Sequence, residues 1–519
     1  MSVNHHVCLS LLSTCQQRSR DILVCCDGRA LDTEAFINRV SEVSRGLSAC
    51  DVRPGDVVLL AGWNTDHMLA SLLGCMDAGA IATPVNHRWS APELMLAMQL
   101  TQPALAIVDQ HCHELVQQAC NSLPAAMRLQ LLTAPGGTCL LCFTSGTTGR
   151  PKAVALTHAS LNHASLAKLA AVGYSQTDTY LHLAPLFHVG AISSALACLM
   201  TGAAHVLLPR FNPHHALHLM QEHGVTAFIA VPTIMQDLVR AAASAPAAAS
   251  CPPSCVASRP AYPPSPSPTP PITPMLTVRL ILLGAGATTP QLQVELFRVF
   301  PAARVMSAYG MTEASSSITF LSITSPCKHG QLHSVQPCIT EHMSCHAQQV
   351  LTPSGWLSTG DVGFLDPTGC LWLRGRAKDM IKTGGENVFA AEVEAALVSH
   401  PSVKAAAVVG IPDARLGETV AALLVLQPGW QWKGHTAGLP GAAATEELEE
   451  AMSSCHVINS LDVQDHCRNV VQLSPYKLPR VIVALAPNVE LPCTTSGKVM
   501  KAPVKAAVLA ARANPLSKL

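Results

Sequence analysis

The spacing of apolar residues predicts that helices and strands alternate along the first part of the chain. Apolar side chains recur at helical spacing over residues 36–47, and the apolar run at residues 57–60 then predicts a buried strand. Further short apolar runs at residues 81–85 and 104–108 predict two more strands. Strands that alternate with helices form mostly parallel sheets covered on both faces. The pattern therefore predicts an α/β fold.

A second pattern of this kind begins in the last third of the chain. Apolar runs at residues 393–397, 403–409 and 421–426 predict a small separate unit. A chain of 519 residues is also too long for one ordinary hydrophobic core. We therefore predict a large N-terminal domain of parallel-rich sheets and helices at residues 1–375 and a small C-terminal α/β domain at residues 376–519.

Two tracts interrupt the alternation of helices and strands. Residues 241–274 are rich in Ala, Pro and Ser, a composition that cannot build a packed core, so we predict a disordered surface insertion there. Residues 427–454 are polar, glycine-rich and acidic. This second tract is predicted to form another peripheral insertion.

The charge balance and the cysteines narrow the class of ligand. Lys plus Arg and Asp plus Glu number 33 each, so we expect no nucleic acid and no acidic membrane as a partner. The uncharged stretch at residues 189–209 is interrupted by glycine and polar residues and predicts a helix followed by a strand, with no membrane span. The cysteines scatter through apolar segments, which predicts reduced thiols, with Cys139 and Cys142 in the core rather than at a metal site. A small molecule is therefore the expected ligand.

A loop rich in glycine and hydroxyl groups follows the predicted strand at residues 138–143. It consists of Thr144, Ser145, Gly146, Thr147, Thr148, Gly149, Arg150, Pro151 and Lys152. Glycines let the backbone approach a ligand closely, and hydroxyl groups can donate to phosphate oxygens. A strand pattern follows Lys152, whereas a Walker A loop opens a helix. The loop predicts a site for nucleotide phosphates, with an ordinary Ser/Thr/Gly turn as the alternative.

A second constellation, residues 309–313, comes directly after the predicted strand at residues 304–307. Tyr309 can stack on a purine, and Thr312 can reach an α-phosphate. The carboxylate of Glu313 can hold Mg²⁺ that bridges phosphate oxygens. An ordinary loop with a solvated glutamate is the alternative interpretation.

Two further segments complete a nucleotide site. Asp361 can accept from both ribose hydroxyl groups, and Arg376 can donate to the same sugar, with a predicted hairpin turn at residues 366–369 between them. Lys498, in the segment at residues 494–498, can present its ammonium group to a pentavalent phosphate. Because the attack of a carboxylate on the α-phosphate brings two anions together, a mobile cation is the group most needed. For Lys498 the alternative is a surface lysine.

Together, the four segments are similar to those of the adenylate-forming superfamily of acyl-CoA synthetases, luciferases and nonribosomal adenylation domains. The resemblance covers nearly the whole chain. It implies that the large domain binds ATP, Mg²⁺ and a carboxylic acid, and that the small domain is mobile and rotates between an adenylation pose and a thioester-forming pose. It assigns Lys498 to adenylation, Lys378 to the hinge, and Gly384, Gly385 and Glu386 to the loop that faces coenzyme A.

The same resemblance assigns the acyl site. His188, in the segment at residues 185–190, matches the family position that lines this site, with a packed core histidine as the alternative. Gly284, Ala285 and Gly286 are expected to form the opposite wall and to approach adenine. Small residues at that wall leave room for a ring.

Several longer stretches resemble the plant-type 2-succinylbenzoate–CoA ligases of phylloquinone synthesis. They are residues 63–66, 84–90, 165–170, 205–211, 307–314 and 381–388. The resemblance implies that the acid and MgATP give an acyl-adenylate and pyrophosphate, and that the thiol of coenzyme A then displaces AMP. The alternatives are another peroxisomal acyl-CoA synthetase, acting on a 4-coumarate-like or a fatty acid, and a non-catalytic relative.

The chain departs from the family pattern at two places. Ala153 stands where relatives usually have glycine, a small change in backbone freedom. The interval between Glu313 and Gly360 is much shorter than in the family, and residues 328–351 within it have few strand signals, so we predict a shortened β-subdomain at residues 322–355. Missing strands leave unpaired edges, and we therefore expect reduced stability.

The last three residues, Ser517, Lys518 and Leu519, form the address that the peroxisomal import receptor reads at a free carboxyl end. We expect this receptor as a protein partner and the peroxisome as the location, with the chloroplast as the alternative. The address carries no chemistry.

Overall fold

The computed structural model describes most of the chain in two compact units. The described residues are 7–18, 20–21, 23–123, 137–145, 151–244, 274–284, 286, 288, 290–323, 332–333, 356–367, 369–434, 436–437, 456–493 and 499–513. The first unit comprises Met1–Leu357 with Pro367–Leu371, and the second comprises Ser358–Asp366 with Trp372–Leu519. The predicted domain boundary after residue 375 stays a prediction.

The larger sheet of the first unit is mostly parallel. Its strands are β1 (Val24–Cys26), β2 (Arg29–Leu31), β8 (Thr179–His182), β9 (Ala204–Leu207), β10 (Ala227–Ala230), β11 (Leu280–Leu283), β12 (Arg304–Met311) and β13 (Ser316–Ile323). Their order across the sheet is β13-β12-β11-β10-β8-β9-β1-β2. All pairings are parallel except those of the two edge strands, β2 and β13.

A smaller sheet of the same unit holds the strands that precede the glycine-rich loop. They are β3 (Val57–Ala61), β4 (Ile81–Pro84), β5 (Leu105–Val108), β6 (Thr138–Ser145) and β7 (Pro151–Thr157), in the order β5-β3-β4-β6-β7. Every residue of β3 and β4 is buried, as expected for apolar runs inside a parallel sheet. Only the pairing of β6 with β7 is antiparallel among the described strands of this sheet.

Helices cover both sheets and supply much of the core. They are α1 (Val7–Gln17), α2 (Thr33–Ala49), α3 (Asp66–Asp77), α4 (Ala91–Thr101), α5 (His113–Asn121), α6 (His158–Val172), α7 (Val189–Thr201), α8 (Pro213–Glu222), α9 (Pro232–Ser244) and α10 (Pro290–Val299). Because apolar residues line nearly the whole circumference of α7, the helix is buried from Val189 to Leu199 apart from Gly190. Strand β14 (Leu332–His333) pairs with Cys370 and Leu371 of the same unit.

The second unit is a small α/β body. Its elements are β15 (Asp361–Leu365), β16 (Cys370–Arg376, from Trp372 onward), β17 (Met380–Thr383), β18 (Glu386–Phe389), α11 (Ala390–Val398), β19 (Val403–Asp413), β20 (Gly417–Leu426), β21 (Trp430–Lys433), β22 (Thr436–Ala437), β23 (His456–Asn459), α12 (Ser460–Asp465), β24 (Val481–Leu485) and α13 (Lys501–Ala513). The long β19–β20 hairpin forms its centre, and α11 and α13 pack on β19.

The fold confirms the α/β prediction and corrects three local ones. Residues 309–311 do not follow a strand but are the end of β12, because antiparallel pairing with β13 extends that strand. Residues 241–244 belong to α9, where two buried alanines continue its apolar face; residues 245–273 lie outside the described part of the chain. Residues 430–433 form β21, which pairs in parallel with β23, so the polar tract is not wholly peripheral.

The shortened interval after Glu313 still contains a long strand. Residues 316–323 form β13, before the stretch at residues 328–351 in which the sequence shows few strand signals. Most of the remaining interval up to residue 355 lies outside the described residues.

Candidate active site

The carboxyl ends of the parallel strands bring several predicted site residues to one edge of the larger sheet. Strands β8, β10, β11 and β12 are parallel neighbours, so the segments that follow them leave the sheet at the same edge. His188 follows β8, Gly284 follows β11, and Tyr309 lies near the end of β12. The amide of Gly284 donates to the carbonyl of Ala230 at 3.1 Å, which keeps it in line with the neighbouring strand. In open α/β sheets this edge is where ligands bind.

A close backbone approach fixes the turn that carries Thr312 and Glu313. The register of β12 and β13 shifts between Tyr309 and Gly310, and a Cβ atom on Gly310 would lie 1.8 Å from the carbonyl oxygen of Ser316. Only glycine fits this position. The chain turns through a 3₁₀ helix at Thr312–Ala314 and re-enters the sheet through Ser315 and Ser316, at φ of 58° and 129°. Such strained backbone is often found at functional sites.

The base of the glycine-rich loop lies beside this turn. Thr144 and Lys152 are partners across the β6–β7 hairpin, and the side chain of Lys152 is exposed. Strand β7 lies against the 3₁₀ turn that contains Glu313. Residues 146–150, and therefore Gly146, Thr147, Thr148 and Gly149, lie outside the described residues. The hairpin and the turn together place hydroxyl groups, an ammonium group and a carboxylate on one side of the unit.

The oxygen donors at the turn suit Mg²⁺ that arrives with a nucleotide. Within the described residues there is no group of three or more His, Cys, Asp or Glu side chains that could hold a metal ion alone. Mg²⁺ typically takes one or two carboxylates from the protein and further oxygens from phosphates and water. Glu313, with the hydroxyl of Thr312 beside it, fits that requirement.

His188 is held in a bend just before α7. Its amide donates to the carbonyl of Pro185 at 3.0 Å, and its own carbonyl accepts from Ala191 and Ile192. The burial of the imidazole, and secondly the charge of Arg88, lower the pKa of His188 to about 4. Phe187 packs against it with ring centroids 4.6 Å apart. His188 is therefore neutral at physiological pH, which suits a lining group and not an acid.

A cavity of about 400 Å³ opens beside the segment that leads to His188. Its lining includes Trp63, His87, Arg88, Pro185, Arg210 and Phe211. The guanidinium carbon of Arg210 lies 5.3 Å from the centre of the Trp63 ring, and the Trp63 ring is stacked on His111. Two guanidinium groups and aromatic walls favour an anionic ligand with a flat apolar part.

In the second unit, the two predicted ribose partners meet each other. Nε of Arg376 lies 2.7 Å from Oδ1 of Asp361, across the β15–β16 hairpin. The amide of Ala377 donates to the carbonyl of Gly360 at 2.9 Å, and Gly360 adopts a φ of 71°. The predicted hairpin at residues 366–369 is present.

The predicted hinge and coenzyme A loop are both exposed. Lys378 lies in a 3₁₀ turn at Ala377–Asp379 directly after β16. Gly384 and Gly385, at φ of 59° and 89°, make the two-residue turn between β17 and β18, and Glu386 opens β18. Two successive positive φ values are typical of a tight hairpin turn and favour glycine.

Lys498 lies outside the described residues, but the residues around it are anchored. Cys493 pairs with Val499 in an antiparallel bridge, so the residues on either side of the segment 494–498 are held together. The ammonium group of Lys501 bonds to Glu394 of α11 and, at 2.9 Å, to the carbonyl of Val408. The loop therefore starts and ends at fixed points of the second unit.

Sequence reasoning missed several residues that shape these sites. Asn64 and Lys168 make side-chain hydrogen bonds to backbone carbonyls of the chain around His188, and Lys501, three residues after Lys498, bonds to the carbonyl of Val408. Asn64 and Lys168 lie in stretches already noted for their resemblance to one ligase group, and that was the only signal available for them. A lysine within a helix is ordinarily taken as exposed.

Outside the candidate site, the sequence predicted reduced thiols and no membrane span. The cysteines of the described segments are free, and Cys139 and Cys142 are buried; burial raises the pKa of Cys142 to about 12. Among the residues described, none of the helices has the length and apolar character that crossing a bilayer requires. The stretch at residues 189–209 contains α7 and β9, as predicted.

Comparison with known proteins identifies the family. Residues 12–355 match the AMP-binding enzyme family, and residues 392–498 match the AMP-binding enzyme C-terminal domain. The chain is 32% identical to the chloroplastic/peroxisomal 2-succinylbenzoate–CoA ligase of Arabidopsis thaliana, over 97% of both chains. These matches confirm the resemblance drawn from the motifs.

Solved structures have the same fold. The o-succinylbenzoate CoA synthetase of Bacillus subtilis in complex with its acyl-adenylate intermediate superimposes with a TM-score of 0.71 at 24% identity, over 96% of this chain and 97% of that one. Its complex with ATP and a magnesium ion gives a TM-score of 0.69 at 24% identity, over 94% and 98%. The chain belongs to the family of AMP-binding enzymes, the adenylate-forming superfamily.

Proposed function

We propose that the protein is an ATP-dependent, AMP-forming acid–thiol ligase that acts on 2-succinylbenzoate and coenzyme A, a step of phylloquinone synthesis. The observation that carries the proposal is the similarity to a plant ligase of that name along the full length of both chains. The geometry supports the reaction class, because a hydroxyl-rich loop, a turn that carries a carboxylate and a half-buried, neutral histidine lie in one unit. The other unit holds the Asp361–Arg376 pair and the loop of Lys498.

In the first half-reaction, a carboxylate of the acid attacks the α-phosphorus of ATP and pyrophosphate leaves. We assign the phosphates to the loop from Thr144 to Lys152, and adenine to Tyr309 and the glycines after β11. Asp361 and Arg376 exchange their mutual contact for the ribose hydroxyl groups. Mg²⁺ bound by Glu313 would neutralise charge on the phosphate oxygens.

One hydroxyl group and one ammonium group then act on the reacting phosphate. Thr312 donates to an α-phosphate oxygen, and the ammonium group of Lys498 offsets the negative charge that grows as the two anions approach. His188 is neutral and lines the acyl site, so it orients the acid without adding a charge beside the carboxylate. Exclusion of water from the site strengthens each of these electrostatic interactions.

In the second half-reaction, the sulfur of coenzyme A attacks the carbonyl carbon of the acyl-adenylate, and AMP leaves with the bonding electron pair. We propose that a rotation at Lys378 exchanges the Lys498 loop for the turn at Gly384, Gly385 and Glu386. Because that turn is exposed, a substrate as large as coenzyme A can approach it.

A panel of acids tests the proposal. Acid-dependent exchange of labelled pyrophosphate into ATP is measured with 2-succinylbenzoate, 4-coumarate and a fatty acid. We expect exchange with 2-succinylbenzoate alone and none with Lys498→Ala, which still binds ATP. If only another acid supports exchange, that acid replaces 2-succinylbenzoate as the assigned substrate. If the protein binds ATP but no acid supports exchange, the result favours a non-catalytic relative.

We also propose import into peroxisomes through Ser517, Lys518 and Leu519, which lie outside the described residues. The location in the name of the plant relative, chloroplastic/peroxisomal, supports both candidate compartments. A fluorescent protein fused in front of the chain should appear in peroxisomes and become diffuse when the last three residues are removed. Fluorescence that stays in chloroplasts in both cases would favour the alternative.

A further inference from the structure

The segment that carries His188 crosses the molecule as irregular backbone between β8 and α7. It runs over residues 183–188, so it lacks the ladder of hydrogen bonds that fixes a strand or helix. A lining group must nevertheless be held to within a fraction of an ångström to orient a substrate. Side chains from other elements supply that support on two sides.

The first support is Asn64, which follows β3 and is 9% exposed. Its amide nitrogen donates to the carbonyl of Ala184 at 3.0 Å, and its amide oxygen accepts from the backbone amide of Leu186 at 2.8 Å. The side chain of Asn64 therefore satisfies one backbone carbonyl and one backbone amide of the segment, as a neighbouring strand would. This contact holds the segment at positions four and two residues before His188.

The second support is Lys168 of α6, which is completely buried. Its ammonium group donates to the carbonyl of Gly190 at 3.0 Å, to Oγ of Ser193 at 2.7 Å and to Oγ of Ser194 at 2.9 Å. These three acceptors match the three donors of a lysine and lie in the first turns of α7. Ser193 in turn donates to the carbonyl of Val189 at 2.7 Å, so the contact extends to the residue after His188.

Lys168 is unusual among core residues because it buries an amine. Its ammonium group donates to three neutral acceptors, and these acceptors lie in the first turns of α7, near the positive end of that helix's dipole. Burial lowers the pKa of Lys168 to about 7. A methionine would fill much the same volume without the desolvation cost, but it could not make the three directed hydrogen bonds.

We propose that Asn64 and Lys168 are positioning residues that clamp the acid-binding segment from both sides and thereby set the position of His188. Asn64 fixes the segment before His188, and Lys168 fixes the start of α7 after it. Asn64 also borders the 400 Å³ cavity, whereas Lys168 is not one of its lining residues, so the Lys168 variant separates positioning from direct contact with the acid. The inference rests on the proposed function in one respect, since His188 is taken to line the acyl site.

Steady-state pyrophosphate exchange on the full chain distinguishes positioning from general support. We expect Lys168→Met and Asn64→Leu each to raise KM for the acid about tenfold or more, because small displacements of positioning groups have large effects. KM for ATP should stay within about twofold in both variants, since the glycine-rich loop is a separate hairpin. The double variant Ser193→Ala/Ser194→Ala removes two acceptors of Lys168 and should raise the same KM even if Lys168→Met fails to fold.

Two control variants remove buried hydrogen bonds elsewhere on the same helices. Ser165 of α6 donates to Leu161 at 2.8 Å, and Thr201 at the far end of α7 donates to Cys198 at 2.7 Å. Ser165→Ala and Thr201→Val should leave both KM values within about twofold of wild type. The inference is overturned if KM for the acid is unchanged in the clamp variants, if both KM values rise together, or if the controls show the same selective rise.

Hydrogen–deuterium exchange supplies a readout that needs no substrate. Amides of a peptide covering residues 183–196 should exchange at least several-fold faster in Lys168→Met and Asn64→Leu, while amides of β6 and β7 keep their wild-type rates. Unchanged exchange in that peptide would overturn the clamp. If no acid supports activity in wild type, the proposed function fails, and this measurement still decides whether the segment is held as we infer.

Discussion

At the scale of single residues, the backbone contact at Gly310 gives the sharpest prediction. Gly310→Ala places a Cβ atom 1.8 Å from the carbonyl oxygen of Ser316, so β12 and β13 must separate locally. We expect a loss of about 3 kcal/mol or more in the free energy of unfolding, measured by urea titration. Gly46, in the last turn of α2 with nothing within 4 Å of a Cβ, is the matched control. Gly46→Ala should stabilise the protein by about 0.5–1 kcal/mol.

Buried histidines give a prediction about pH. Nε2 of His182 lies 2.8 Å from Nδ1 of His205, and burial lowers the pKa of both rings, that of His205 to about 3. As the pH falls below 6.5, the unfolded chain binds protons that the folded chain does not. Stability should therefore fall by up to about 1.4 kcal/mol per pH unit for each histidine.

Urea titrations between pH 7 and pH 4.5 measure this dependence. His205→Leu should show a shallower loss of stability with falling pH than wild type. His218, whose side chain is 70% exposed, serves as the control, and His218→Asn should keep the wild-type slope. Equal slopes in all three proteins would contradict the assignment to the buried pair.

At the scale of elements, the anchoring of α13 bears on the loop of Lys498. Lys501→Met removes the contacts to Glu394 and Val408, and we expect a cost of about 1 kcal/mol in stability because Glu394 keeps its bond from the amide of Val408. The exchange rate should fall several-fold with KM for ATP unchanged. Lys505→Met, one turn further along α13 and 3.9 Å from Glu418, should change neither quantity.

Some of these elements could be predicted from the sequence and others could not. Strands β3, β4 and β5 were predictable because each is a short apolar run in a parallel sheet. The extension of β12 was not, because Tyr309–Met311 are only partly buried and are held by long-range pairing with β13. Lys168 was missed for a related reason: its burial depends on acceptors from α7, which no local pattern in α6 reveals.

At the scale of the whole molecule, the alanine- and proline-rich tract offers a test of dispensability. Its flanks are structured, since α9 ends at Ser244 and the amide of Met275 donates to the carbonyl of Val299 at 2.7 Å. Replacement of residues 246–272 by a flexible Gly/Ser linker of similar reach should leave the melting temperature within about 2 °C, because loop length affects stability weakly. A large drop, measured by calorimetry, would show that the tract packs on the fold.

The pairing of Asp361 with Arg376 has a consequence for how nucleotide affinity should be understood. In the second unit, the two side chains that we propose to bind ribose contact each other at 2.7 Å. On that proposal, a ribose exchanges one set of contacts for another, and the measured affinity for the nucleotide is the difference between the two sets. The ion pair then competes with the ribose for both side chains, which lowers the affinity for the nucleotide and keeps the two side chains aligned. Such competition favours the release of AMP at the end of each cycle.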